Sequence, residues 1–117
     1  MFTFNHASRI NGRAYDPRRV DFSIAPGATE IWELRNDSDN QHVFHPHGVS
    51  FTVLTYGGRA PPAARAGLKD SLLLPPGTTA RVAVRLPSHA DPTTPFMFHC
   101  HLLAHEDHGM MGQYLVA

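Results

Sequence analysis

At 117 residues the chain suits one domain with a hydrophobic core and leaves no room for a second, so residues 1–117 are read as a single domain. Ten basic residues balance ten acidic ones, so nothing in the charge suggests a nucleic-acid partner or an anionic membrane surface, and small molecules, metals and proteins remain as partners. A single cysteine excludes an intrachain disulfide, so Cys100 has to be judged by its neighbours. The opening MFTFNHASRING shows neither the basic region nor the apolar run of a signal peptide, and no stretch has the length of a membrane-spanning helix. The expectation is a soluble chain that is non-exported, already processed, or a fragment.

Ten Pro and nine Gly punctuate short runs rich in Val, Ile, Thr and aromatic residues, with almost no helical periodicity, which predicts an all-β fold. In chain order the predicted strands are Arg19–Ile24, Thr29–Asn36, Val49–Thr55, Asp70–Leu74, Ala80–Leu86, Pro95–His101 and Gly112–Ala117. Val82, Val84 and Leu86 keep strict alternation, whereas Ile31 beside Trp32 and Leu34 interrupts it. Pro26-Gly27 and Pro76-Gly77 read as turns, each just before a strand. The stretch GGRAPPAARAG, Gly57 to Gly67, is too poor in apolar residues to pack and reads as an exposed loop. Seven or so strands at this spacing predict a Greek-key β-sandwich.

Nine histidines are present, most of them in two clusters, HVFHPHG from His42 to Gly48 and FHCHLLAHEDHGMM from Phe98 to Met111. If the backbone is extended there, alternate side chains point to opposite faces. His99 and His101 then share one face while Cys100 points to the other. The same parity separates His42 from His45 and His47. One face gathers His45, His47, His99 and His101, and the other offers His42 and Cys100.

The second set has a way to complete itself. Four residues separate Cys100 from His105, and four more separate His105 from Met110, a loop-like spacing that can bring an imidazole and a thioether round one ion. Two His, one thiolate and one weak axial Met describe a blue-copper electron-transfer site. A lone buried Cys is more often inert core, and a Met pair in a β-protein is more often packing. Zinc seldom uses Met, and its structural sites usually take two or more thiolates, so copper ranks ahead of zinc and zinc ahead of no metal.

The pairing of HVFHPHG with FHCHLLAHEDHGMM resembles the C-terminal cupredoxin domain of the multicopper oxidases, the group that includes laccases, bacterial cuprous oxidases and bilirubin oxidase. RINGRAYD, KDSLLLPPGTTARVAVRL and GMMGQYLV extend the likeness over nearly the whole chain. The resemblance implies a cupredoxin-like sandwich in which His42, Cys100, His105 and Met110 hold type 1 copper. It implies that His45 contributes to type 2 copper, and His47, His99 and His101 to the type 3 pair, with Cys100 and its flanking histidines as the electron route between the sites. Glu106 matches an acidic position linked, in bacterial relatives, to proton delivery during oxygen reduction. The implied partners are O₂ and a small-molecule reductant, a phenol, an aromatic amine or Cu(I). The implied location is periplasmic or extracellular.

The chain departs from the family pattern in places. Members commonly read H-P-x-H-x-H, whereas here Val43 follows His42 and the proline, Pro46, sits between His45 and His47. His108 matches no family role and reads as an exposed loop residue, as do His6 and His89 on the surface. The family's oxygen site draws on twice the four histidines gathered here, the others coming from H-x-H-G and H-x-H motifs of an N-terminal domain.

Three functions follow. The first is a module of a laccase-like oxidase whose oxygen site is completed by a partner chain, by a second copy across a two-fold axis, or in a head-to-tail trimer. The second is a stand-alone one-electron carrier with type 1 copper only. The third is copper or zinc storage without catalysis. Oligomeric state and copper per chain separate the first two. The Gly57–Gly67 loop carries no Met-rich segment, which favours aromatic donors over Cu(I).

Overall fold

The computed structural model describes residues 2–5, 9–11, 13, 16, 18–86, 91–100 and 110–116. They form two sheets. The first contains β1 (Phe2–Asn5), β2 (Arg9–Ile10), β4 (Thr29–Asn36), β6 (Phe51–Tyr56), β7 (Leu68–Lys69) and β9 (Thr79–Arg85), in the order β2-β1-β4-β9-β6-β7. The second contains β3 (Phe22–Ile24), β5 (His42–Pro46), β8 (Leu72–Leu74), β10 (Asp91–Cys100) and β11 (Met111–Val116), in the order β3-β11-β10-β5-β8. From β4 onward the chain passes repeatedly from one sheet to the other, as a β-sandwich requires. Among the described residues no helix is long and apolar enough to cross a membrane.

The core follows from alternation. Trp32 and Leu34 of β4, Val82 and Val84 of β9, and Phe51 and Val53 of β6 face Phe44, Leu72, Leu74, Phe98, Tyr114 and Val116 of the second sheet, all of them buried. Ile31, which blurred the pattern in the sequence, is 48% exposed, so β4 alternates after all and Ile31 lies on its outer face. Phe44 anchors the strand that carries the first histidine cluster; its ring centroid lies 5.1 Å from that of Phe2 and 6.2 Å from that of Phe51. Burial of a side chain of this size stabilises by roughly 1.5–3 kcal/mol.

The seven predicted strands are all present, β4 with the predicted bounds and the others shifted by a few residues at their ends. Strands β1, β2, β5 and β7 were not predicted. β1 and β7 are too short for a pattern to stand out, and in β5 histidines and a proline occupy places where apolar residues would reveal a strand. The Pro76-Gly77 turn has Gly77 at φ +72°, the left-handed conformation that glycine adopts without strain. The Gly57–Gly67 loop is mostly exposed, with a single 3₁₀ turn at Ala63–Arg65.

β5 lies between β10 and β8, and its register puts His45 opposite His99 and Phe44 opposite Cys100. His47 N–H donates to the Met97 carbonyl at 2.7 Å, so the odd-numbered amides of β5 face β10 and the even-numbered ones face β8. Pro46, which has no N–H, is even-numbered and lies past the last β8 pair, Phe44 with Leu72. The proline therefore sits where the ladder needs no donor. At the following turn Gly48 has φ +81°, and a Cβ there would stand 2.7 Å from the Phe96 ring.

Candidate metal centre

The parity expected of the two histidine clusters is what β5 and β10 display. His42 and Cys100 point between the sheets, 2% and 0% exposed, and Cys100 Sγ lies 3.6 Å from His42 Nδ1. Met110 is fully buried, and its carbonyl accepts the Cys100 N–H at 3.0 Å, which brings the start of β11 back beside the cysteine. The Phe4 ring stacks on His42 with centroids 5.5 Å apart and fixes the imidazole plane. A thiol and an imidazole nitrogen thus meet away from water, with a buried methionine joined to the cysteine through the backbone.

The orientation of His42 is set by a network on the preceding loop. Ser38 Oγ lies 2.7 Å from His42 Nε2 and donates its one proton to Asn36 Oδ1 at 2.7 Å, with the Asn40 carbonyl at 3.2 Å as a second acceptor. With that proton committed, the hydroxyl can only accept from the imidazole, so Nε2 carries the ring proton. Nδ1, the nitrogen beside the sulfur, is then the lone pair, as a metal ligand must be. Asn36 is buried and holds the loop in turn: its amide donates to Asn40 O at 2.6 Å and Leu74 O at 2.8 Å, and its oxygen accepts Ser38 N–H at 3.0 Å.

On the opposite face of the second sheet, His45, His47 and His99 come together with ligand atoms all within 4.8 Å of one another. His45 Nδ1 donates to the Asp70 carbonyl at 2.7 Å, with Ser71 Oγ at 3.0 Å, and His99 Nδ1 donates to the Cys100 carbonyl at 3.1 Å. A carbonyl only accepts, so in both rings Nε2 is the atom that can ligate. His99 Nε2 is 2.9 Å from His47 Nε2. His45 and His47 line an open cleft of about 450 Å³ with Ser50 and Asp70. Buried Tyr114 donates from its phenol to the His47 carbonyl at 2.5 Å, and burial pushes the phenol pKa up to about 12.

Of the residues singled out in the sequence, His42 and Cys100 meet on the inner face, with Met110 buried and held to the cysteine backbone, and His45, His47 and His99 meet on the outer one. His101, His105 and Glu106, together with His6, His89 and His108, lie outside the described residues. Sequence reasoning missed Asn36, Ser38 and Tyr114 and the carbonyls of Asp70 and Cys100. NDSDN has the composition of a turn, and nothing in it singles out Ser38 as the partner of His42.

The sequence profile of the family described as Multicopper oxidase matches residues 1–117. The chain is 43% identical over 111 residues to the multicopper oxidase mco of Staphylococcus haemolyticus, covering 92% of this chain and 24% of that protein. It is similar to the structure of the laccase-like multi-copper oxidase CueO from Ochrobactrum sp., at TM-score 0.83 and 42% identity over 93% of this chain and 24% of the other. The laccase of Pediococcus acidilactici superposes at TM-score 0.90 and 32% identity, over 99% of this chain and 26% of that one. The chain thus spans about a quarter of the length of these relatives. A match along the full sequence and a cupredoxin-like sandwich shared with solved oxidases, with thiol and imidazoles back to back across one strand, establish that this chain belongs to the multicopper oxidase family.

Proposed function

We propose that the chain is the electron-handling module of a laccase-like oxidase, which takes electrons from a small reductant at the inner site and passes them to the outer histidines, where O₂ is reduced to water. The observation that carries this reading is the position of Cys100 between two donor sets. Its sulfur faces His42 Nδ1 at 3.6 Å, while its carbonyl holds His99, a member of the outer group, at 3.1 Å.

The residues suit the family's metal. A thiolate with imidazole and a weak thioether favours copper, and two imidazole nitrogens on one ion sit about 3.3 Å apart, close to the 2.9 Å between His47 Nε2 and His99 Nε2. Copper, when bound, supplies one-electron redox chemistry at the inner set and oxygen chemistry at the outer one. His42, Cys100, His105 and Met110 would hold type 1 copper; His45 would hold type 2, and His47, His99 and His101 the type 3 pair. Ser38 keeps the His42 proton away from the sulfur side, and the Asp70 and Cys100 carbonyls do the same for His45 and His99.

Cys100 and His99 offer two routes for the electron, the backbone that joins them and the hydrogen bond from His99 Nδ1 to the Cys100 carbonyl. Because His42 is buried, the imidazole edge at which a reductant docks is assigned to His105. Glu106 is assigned to proton delivery. The proposed reductant is a phenol or aromatic amine ahead of Cu(I). The remaining outer ligands come from a second copy, a partner chain or a further domain, a role for which exposed His47 and its open cleft are suited. A lone electron carrier would have no use for an outer triad.

Oxygen uptake with a phenolic reductant tests the reading on the copper-loaded protein, together with whichever partner copurifies. In a His45→Ala, His47→Ala double variant uptake is expected to stop while the blue absorption stays. Uptake that survives in this variant rules the outer histidines out of the oxygen site.

A further inference from the structure

The inner sulfur has a backbone neighbour that the H-P-x-H-x-H pattern of the family could not provide. The β5 ladder to β10 is described as far as the Phe44 and Cys100 pair, and Val43 is the odd-numbered residue next along, its amide directed to the β10 side. That N–H meets Cys100 Sγ at 3.4 Å. Cys100 itself spends its own N–H on the Met110 carbonyl.

We infer that the Val43 N–H tunes the donor strength of the Cys100 sulfur and so raises the reduction potential of the inner copper site. The inference rests on the copper reading of that site. An N–H dipole aimed at a thiolate stabilises negative charge on sulfur. Sulfur charge is greater in the reduced state, because Cu(II) draws more electron density from the thiolate than Cu(I) does. The hydrogen bond therefore stabilises the Cu(I) form more than the Cu(II) form, and hydrogen bonding around the cysteine sulfur is one of the levers that set such potentials. A proline at position 43 keeps an extended backbone but has no N–H to give. Residue 42, ahead of such a proline, is already in a strand, the conformation that a following proline favours. Position 43 is thus a point where one backbone atom changes the driving force for electron transfer without altering a ligand.

The test is a potentiometric titration of the copper-loaded protein with Val43→Pro and Val43→Ala. Val43→Ala keeps the N–H and should match wild type. Val43→Pro should keep the blue band and shift the copper equilibrium toward Cu(II) by about tenfold, which for one electron is about 59 mV. If Val43→Pro does not fold, an ester-linked valine analogue at position 43 removes the same N–H with less effect on conformation, and the same shift is expected. A blue variant lacking the N–H with an unchanged potential overturns this inference and leaves the copper site standing. A wild-type protein without a blue band overturns the copper reading, and this inference with it.

Discussion

Ser38→Ala removes one hydroxyl from the loop ahead of β5 and leaves every proposed ligand in place. Ser38 Oγ lies 2.7 Å from His42 Nε2 and 2.7 Å from Asn36 Oδ1, and His42 is 2% exposed, so without the hydroxyl the Nε2 proton is buried beside a methyl group. A buried donor left without its acceptor costs about 1–3 kcal/mol, and the Asn36 oxygen, which keeps the Ser38 N–H, adds little. The loss should appear as a lower midpoint in urea unfolding of the metal-free protein with the slope unchanged. The second effect is on binding. Without the Ser38 hydroxyl the ring loses the contact that favours the tautomer presenting Nδ1 to Cys100 Sγ. Losing such an outer partner typically lowers metal affinity 10–100-fold. Competition with a Cu(I) chelator measures that affinity, and Ser38→Thr, which retains the hydroxyl, should stay near wild type. If Ser38→Ala unfolds and binds copper like wild type, the Asn36, Ser38 and His42 relay does not orient the ligand.

Met110→Leu should keep the copper and the fold, since the swap nearly conserves volume and typically costs under about 1.5 kcal/mol, and raise the reduction potential because a weak donor that favours Cu(II) is lost; an unchanged redox titration would remove Met110 from the axial position. Tyr114→Phe keeps the ring stacked on Phe22 at 5.4 Å but loses the hydrogen bond to the His47 carbonyl, so it should cost about 1 kcal/mol and disturb the outer site more than the inner one, visible as weakened metal binding with the blue band intact. The Tyr114 phenol also predicts alkaline sensitivity. Its folded pKa of about 12 lies above the ordinary 10, so above pH 10 the unfolded chain loses this proton first and stability falls as pH rises to 12, by roughly 2–3 kcal/mol. Urea midpoints measured across that range should fall less steeply in Tyr114→Phe than in wild type.

The division of the histidines into two faces was legible because strand parity depends only on counting, and the observed register of His45 against His99 keeps that division across β5 and β10. The fold class was legible from turn punctuation and from strands such as Thr79–Arg85, where Ala80, Val82 and Val84 fall on one buried face. What stayed hidden has a common cause. β5 carries histidines and a proline where a core strand would carry apolar residues, so hydrophobic periodicity is silent at the strand that matters most. Ile31 looked like a break in β4 because an apolar residue on an outer face is indistinguishable, in sequence, from one in the core. The groups that orient the imidazoles, Ser38 Oγ and the Asp70 and Cys100 carbonyls, are a loop hydroxyl and backbone atoms. Backbone atoms leave no trace in residue identity, and a serine in NDSDN looks like any turn serine.

The central claim, that Cys100 and His42 hold copper through the sulfur and Nδ1, is tested most directly by the visible absorption of the copper-loaded protein beside that of Cys100→Ser. The account predicts an intense blue band in wild type that disappears in a folded Cys100→Ser variant, because the thiolate is the source of the charge transfer. Copper bound by wild type without that band, or a band that survives the substitution, would contradict it.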